Sequence, residues 1–378
     1  MIAKRADEMT SFIVMDVLER ASVLERDGID IVHLEVGEPD FDTPECVKKA
    51  ACQAISDGHT HYTHSLGLME LREAIAAYYY ETYGVTVNPH RVMVTQGTSP
   101  AIFSVFSTLL EAGDEVIISD PGYACYPNFI KFVGGVPVRV PTAEADGFQY
   151  RVSEIEKRLT QKTKAIFLNS PSNPTGNLLS TDRMERIAQL GPAIVSDEIY
   201  HGLVYEGEEH TMLEFTDNAF ILNGFSKLFA MTGLRLGYVI APEAFMRPLQ
   251  KIQQNFFISV NASAQMAGIA ALKHAKEDTL RMREIYNKRR LYMIERLKNM
   301  GLGITVPPTG AFYVFANAKH ISMDSYKLAF DILEKAHVGV TPGIDFGENA
   351  EGYLRFSYAN SMENIEKGMD RLEAYLKG

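Results

Sequence analysis

Residues 91–123 read RVMVTQGTSPAIFSVFSTLLEAGDEVIISDPGY. An apolar run, RVMVT, breaks at Gly97-Thr98-Ser99 into a helical stretch, SPAIFSVFSTLLEAG. After Gly113 a second apolar run, EVIISD, ends in the turn formers of DPGY. The same alternation extends outward. Upstream, LREAIAAYYYETYG precedes RVMVT. Downstream, YPNFIKFVGG precedes VPVRV, a helix around 153–160 precedes KAIFLN, a helix around 180–190 precedes AIVSD, and AFILNGF follows. Helices alternating with fully apolar strands predict an α/β fold with a mostly parallel sheet covered on both faces. Its active site is expected outside the carboxyl ends of the strands.

The two ends of the chain read differently. Met9, Phe12, Ile13, Val17 and Leu18 predict an amphipathic helix over 9–27, stopped at Asp27-Gly28. A strand, IVHLEV, and a turn-rich loop, GEPDFDTP (37–44), come next. After Pro242 long charged helices, AFYVFAN, another helix and YLRFSYA predict a second, smaller α+β domain. The boundary is placed near residue 275. No repeat, low-complexity tract or Pro/Ser-rich linker separates the lobes, so they are expected to pack together.

At 378 residues the chain is long enough for two to three domains at ~150 residues each. Apolar residues at 46% and charged residues at 22% are ordinary globular usage, not that of a disordered chain. The net charge of −11 argues against nucleic acid or an anionic membrane as the main partner. Cys46, Cys52 and Cys125 form no Cys-x-x-Cys, so neither a disulfide framework nor a thiolate zinc site is expected. The start MIAKRADEMTSF lacks an apolar h-region, and no run reaches 18 apolar residues. A cytoplasmic protein is the expectation.

Several turns carry more chemistry than a turn needs. Gly97-Thr98-Ser99 opens a helix with N–H groups and hydroxyls aimed at the loop, as an anion site or a plain helix cap would. Tyr123 of DPGY is placed to stack on a flat ligand or to cover the core edge. NSPSNPTG (169–176) is a stiff turn holding Asn173 between two prolines. Asp197 ends the apolar strand of AIVSDEIY, a costly place for a carboxylate unless a cation meets it, and Tyr200 lies one turn on. Lys227 sits between Phe225 and Leu228-Phe229. It is either a snorkelling surface lysine or a desolvated amine able to form a Schiff base. Arg235 is a surface charge or a phosphate clamp. Arg355 in YLRFSYA is buried among apolar neighbours and needs a carboxylate.

Taken together these residues resemble the pyridoxal-phosphate-dependent aminotransferases of fold type I, the class I/II family that includes aspartate aminotransferases. The resemblance spans the chain through ten motifs in family order. They are GEPDFDTP, HYTHSLGLMELREAI, GTS, DPGY, NSPSNPTG, SDEIY, FSKLFAMTGLRLGY, GAFYVF, PGIDFG and YLRFSYA. It implies a mostly parallel seven-stranded sheet. It also implies a large cofactor domain over 37–275, a small domain of 11–36 plus 276–378, and an N-terminal arm over 1–10.

The resemblance further implies pyridoxal 5′-phosphate carried by Lys227, which also moves the substrate proton, and Asp197 paired with the pyridinium nitrogen. Asn173 and Tyr200 would bond the 3-hydroxyl oxygen and Tyr123 would stack on the ring. Gly97, Thr98, Ser99, Ser226 and Arg235 would hold the phosphate, joined by Tyr62 from the partner of a homodimer. Arg355, the Gly37 backbone and Asn173 would hold the substrate carboxylate. Pro121 and Pro174 match positions of cis peptides in relatives. Gly224 departs from the pattern where many relatives carry a phosphate-contacting serine, and Tyr123 stands where many have Trp.

The implied reaction moves an amino group from aspartate, alanine or an aromatic amino acid to a 2-oxo acid such as 2-oxoglutarate. A carbon–sulfur β-lyase shares the fold and most of these residues. Gly97-Thr98-Ser99-Pro100-Ala101 also resembles a nucleophile elbow, which would make Ser99 a hydrolase serine, but this leaves Lys227 and Arg355 unexplained and supplies no histidine. His59, His61 and His64 fit no common metal spacing. An effector-binding lobe of a transcription regulator is disfavoured by the acidic balance and the lack of a basic helix-turn-helix.

Overall fold

The computed structural model describes residues 2–378. In chain order the strands are β1 Val32–His33, β2 Val92–Thr95, β3 Glu115–Asp120, β4 Val136–Pro141, β5 Thr163–Asn169, β6 Ala193–Asp197, β7 Ala219–Gly224, β8 Gly237–Ile240, β9 Tyr313–Asn317, β10 Val338–Gly339, β11 Thr341–Pro342 and β12 Tyr353–Ser357. The first helices are α1 Lys4–Asp7, α2 Ile13–Arg26, α3 Glu45–Ser56, α4 Met69–Tyr83, α5 Thr98–Leu109 and α6 Tyr126–Phe132.

The main sheet has seven strands in the order β2-β8-β7-β6-β5-β3-β4. The pairs from β7 through β4 are parallel, while β8 runs antiparallel to both β7 and β2. Successive side chains point to opposite faces, and on every strand but the exposed edge strand β4 both faces are largely buried. Val92, Val94, Ile117, Ile166, Ile194 and Ile221 join one core; Met93, Val116, Ile118, Phe167, Val195 and Phe220 join the other. The first core takes Leu71 and Ile75 of α4, the second Ile102, Val105 and Phe106 of α5. This is why the strands read as unbroken apolar runs.

Six of the seven strands follow the alternation read from the sequence. The seventh, β8, is a four-residue strand opening with glycine inside a motif-rich stretch, too short to show a period. A separate antiparallel sheet has the order β11-β12-β9, with Arg355 opposite Phe315 and Thr341. The helix Ala262–His274 ends and Lys276–Asn299 begins on either side of Ala275. No helix among the described residues is long and apolar enough to cross a membrane.

Two N-terminal expectations need correction. The helix expected over 9–27 begins at Ile13, because Thr10 is tied by its backbone and hydroxyl to Asn128 and the first-turn amides are held elsewhere. The strand IVHLEV pairs only at Val32–His33, with Val338–Gly339. From Leu34 the chain turns toward the strand ends, where Glu35 offers its carbonyl to Arg355.

Candidate active site

A cavity of about 450 Å³ opens beyond the carboxyl ends of β3, β5, β6 and β7. Of the residues singled out in the sequence, its walls include Gly37, Thr98, Ser99, Tyr123, Asn173, Asp197, Tyr200, Lys227, Arg235 and Arg355. The sheet order explains the convergence: residues far apart in sequence end neighbouring strands at a point where connections diverge.

Asp197 ends β6 and is 4% exposed. Its carboxylate accepts hydrogen bonds from the Tyr126 hydroxyl (2.7 Å) and the Ile199 amide (3.2 Å), and burial pushes its pKa up to about 6. No cation stands within ion-pair distance among the described residues, so the acid expected to need a cationic partner faces the cavity without one.

Lys227 follows β7 on a turn whose apolar flanks, Phe225 and Leu228, are buried. Its ammonium donates to the Gly37 carbonyl (2.6 Å) and lies 5.6 Å from the Phe312 ring centre. Burial lowers its pKa to about 8, with Glu38 opposing and Arg355 and Arg235 adding to the depression. Lys227 is thus partly buried with its ammonium held by a backbone carbonyl, not extended into solvent. Gly37 must be glycine, because a Cβ there would overlap the Tyr313 hydroxyl.

Arg355, 2% exposed in β12, donates to Asn173 Oδ1 (2.8 Å), the Glu35 carbonyl (2.5 Å) and Thr341 Oγ1 (3.1 Å). Its guanidinium stacks 4.4 Å from the Tyr313 ring centre and 5.0 Å from that of Phe346. Its Nε has no partner, and no carboxylate pairs with it among the described residues. The carboxylate expected for it is not supplied by any described residue of the chain. Asn173 is held by the Asn169 side chain, which accepts from its amide (2.8 Å). Tyr200 exchanges a hydrogen bond with Tyr313 (2.8 Å).

At the other end, Gly97 has φ +92°, a conformation open to glycine, and caps α5 so that Thr98 and Ser99 form its first turn. A Cβ on Gly97 would crowd the Arg235 guanidinium. Exposed Arg235, itself at φ +50°, donates to the Thr232 carbonyl (3.0 Å). Helix N-terminus, two hydroxyls and a guanidinium form an anion cradle. Gly97, Ser226 and Tyr62 are not themselves cavity walls. Gly97 lies behind Arg235, Ser226 precedes Lys227, and Tyr62 is 82% exposed on the outside of this chain. The peptides before Pro121 and Pro174 are cis, as is the one before Pro171.

Sequence reasoning gave no role to five contributors. Tyr126 was read only as the start of a helix, although it lies three residues after Tyr123 and so on the same side of that turn. Tyr313 was within a quoted motif but had no role. Glu38, and Phe12 with Val14 at the start of α2, also line the cavity. No histidine lines it, which removes the hydrolase reading of Ser99. No cluster of three or more metal-binding side chains occurs among the described residues, the histidines at 59, 61 and 64 included. The groups that face the cavity, a buried carboxylate, an amine of depressed pKa and a helix N-terminus beside a guanidinium, fit the pyridoxal phosphate that the sequence resemblance implies.

Comparison with known proteins agrees. The model of the aminotransferase class I and II family matches residues 29–372. The chain is 40% identical to (5-formylfuran-3-yl)methyl phosphate transaminase of Methanocaldococcus jannaschii, covering all of both chains. It is also 40% identical to aspartate aminotransferase of Pyrococcus horikoshii, covering 100% of this chain and 97% of that one. The solved structure of Thermus thermophilus aspartate aminotransferase with maleate superposes at a TM-score of 0.95 with 37% identity over 99% of each chain.

Proposed function

The chain belongs to the class I and II aminotransferases, pyridoxal-phosphate enzymes of fold type I, and from that premise we propose how its residues divide the work. It moves an amino group from an L-amino acid, with aspartate, alanine and aromatic amino acids as candidate donors. The acceptor is a 2-oxo acid, 2-oxoglutarate first among those to test, and the two substrates alternate in a ping-pong cycle.

One observation carries the reading: a lysine of depressed pKa, a buried aspartate without a cation and a buried arginine with a free Nε face the same cavity. Bound pyridoxal phosphate supplies the electron sink that lets the substrate's Cα–H bond ionise. Asp197 keeps a proton on the ring nitrogen, and Tyr126 steadies that carboxylate. Thr98, Ser99 and Arg235, with Gly97 and Ser226 beside them, hold the phosphate. Tyr123 covers the ring, and Asn173 and Tyr200 hold its 3-hydroxyl oxygen. Arg355, helped by Asn173 and the Gly37 backbone, orients the substrate carboxylate. The Lys227 amine would take the proton from the substrate's Cα and deliver it to the cofactor's C4′ carbon.

Exposed Tyr62 reaches the phosphate of a second copy, so the working unit is a homodimer. Residues 37–275 form the cofactor domain, 11–36 with 276–378 the smaller one, and 1–10 an arm. The cytoplasm is the assigned location, in keeping with the free thiols of Cys46, Cys52 and Cys125.

The test is the visible spectrum of the purified protein with a panel of amino acids, alongside Lys227→Ala. A yellow band that particular donors bleach, and that the variant lacks or shifts, supports the reading and names the donor. A protein that stays colourless with added cofactor overturns it. Pyruvate and thiol released from cystathionine without a 2-oxo acid would make it a β-lyase.

A further inference from the structure

The turn Pro342–Gly347 (PGIDFG) has no part in the chemistry above, yet it touches three parts of the site. The Phe346 ring lies under the Arg355 guanidinium, and the Phe346 carbonyl accepts from the Gly122 amide (2.9 Å), next to Tyr123. The third contact is the least expected. Helix α2 starts with Phe12 at its N-cap, a residue with no side-chain acceptor. Both oxygens of the Asp345 carboxylate fill that role, accepting from the Ile13 amide (3.0 Å) and the Val14 amide (3.2 Å). A carboxylate at a helix N-terminus also meets the positive end of its dipole.

The turn thus capped is the roof of the cavity. Phe12, Val14 and Met15 line it, and the Phe12 ring meets Tyr123 edge to face at 5.6 Å. We infer that Asp345 is a positioning residue: by capping α2 from 331 residues away it holds Phe12 and Val14 over the substrate side chain. The inference rests on the aminotransferase reading of the cavity. It separates two parts of substrate recognition, Arg355 for the carboxylate and the Asp345-held roof for whatever lies beyond it.

Calorimetry on the holoenzyme tests this with 3-phenylpropionate and succinate as long probes and propionate as a short one. For the long probe that binds tighter, Asp345→Ala is expected to raise the dissociation constant about tenfold, as loss of one apolar contact surface does. Propionate should change by less than about twofold, since it reaches only Arg355. Asp345→Asn, which keeps one acceptor oxygen and guards against misfolding, should fall between. In a Phe12→Ala background the Asp345→Ala effect should nearly vanish, because coupled residues are not additive. Amide exchange at Ile13 and Val14 should quicken, and the amino donor's KM should rise with kcat nearly constant. Equal weakening of all probes, no change in any, or an undiminished effect without Phe12 would each overturn the inference. Should the unmodified chain bind the probes but transaminate no donor, the parent reading falls while the capping role is still decided by the probes.

Discussion

Asp197 at the floor of the cavity and Asp345 behind its roof are both buried carboxylates pushed up to about 6, and in both burial is the largest cause. They differ in where their hydrogen-bond donors come from. Asp197 uses the amide two residues on and the phenol of Tyr126 at the start of α6; Asp345 uses amides from the opposite end of the chain. At the floor, on the function proposed above, the ring nitrogen of the cofactor would offset the cost of ionising Asp197. At the roof the two amides and the charge of Arg355 offset only part of that cost, and the carboxylate is kept for the geometry it imposes. One region is built for a bound charge, the other to shape the space above it.

Four outcomes sharpen or break that contrast. The largest concerns the floor. Lys227→Ala should lower the rate of the half-reaction with any amino donor by about 10⁴-fold, the upper range for a positioned acid–base group, as followed by stopped-flow absorbance. A variant within tenfold of the unmodified chain would remove the lysine from the chemistry.

The next concerns the roof and follows from sign. Asp345 holds its proton more tightly folded than unfolded, so between about pH 4 and 6 the unfolded state loses its proton first and stability falls as pH rises. Urea unfolding should therefore show Asp345→Asn gaining about 2 kcal/mol on the unmodified chain from pH 4 to pH 7, with no further gain above. A gap that is constant with pH would mean the carboxylate is not strained by burial.

Smaller still, Tyr126→Phe removes the phenol that stabilises ionised Asp197. Its pKa should climb further and the cofactor's dissociation constant should rise about tenfold, as loss of a hydrogen bond to a charge predicts. Fluorescence titration with pyridoxal phosphate measures it. The smallest effect is expected at Tyr313→Phe, which removes the bond to Tyr200. The loss of one neutral hydrogen bond should cost about threefold in kcat/KM and leave cofactor affinity unchanged.

The same contrast explains what could be read from the sequence. The floor is written in contiguous residues. Apolar strands buried on both faces announce themselves, and Asp197 and Lys227 stand out because their immediate neighbours are apolar. The roof is not written that way. Phe12 looked like one more apolar position of an amphipathic helix, and that helix was placed four residues too early because its cap comes from Asp345. Tyr126 was hidden for the same reason, its partner being 71 residues distant. Strand β8 escaped because four residues show no period. Arg355 was legible as a buried cation, but its hydrogen bonds to Asn173 and the Glu35 carbonyl join residues 182 and 320 positions away in the chain.

Strand β8 has a further consequence, in the order of synthesis. It lies between β2 and β7, and β2 has no other neighbour in the sheet. A chain leaving the ribosome therefore exposes Val92–Thr95 and the cradle glycine, Gly97, as an unpartnered edge until residue 240 has been made. At 5–20 residues per second that wait is roughly 7–30 s. Gly237, the first residue of β8, packs so closely on Gly97 that a Cβ would strike its backbone. The turn at the start of α5 is thus begun early and closed late, and a nascent chain completes it only once the strand that fills the gap in the sheet has arrived.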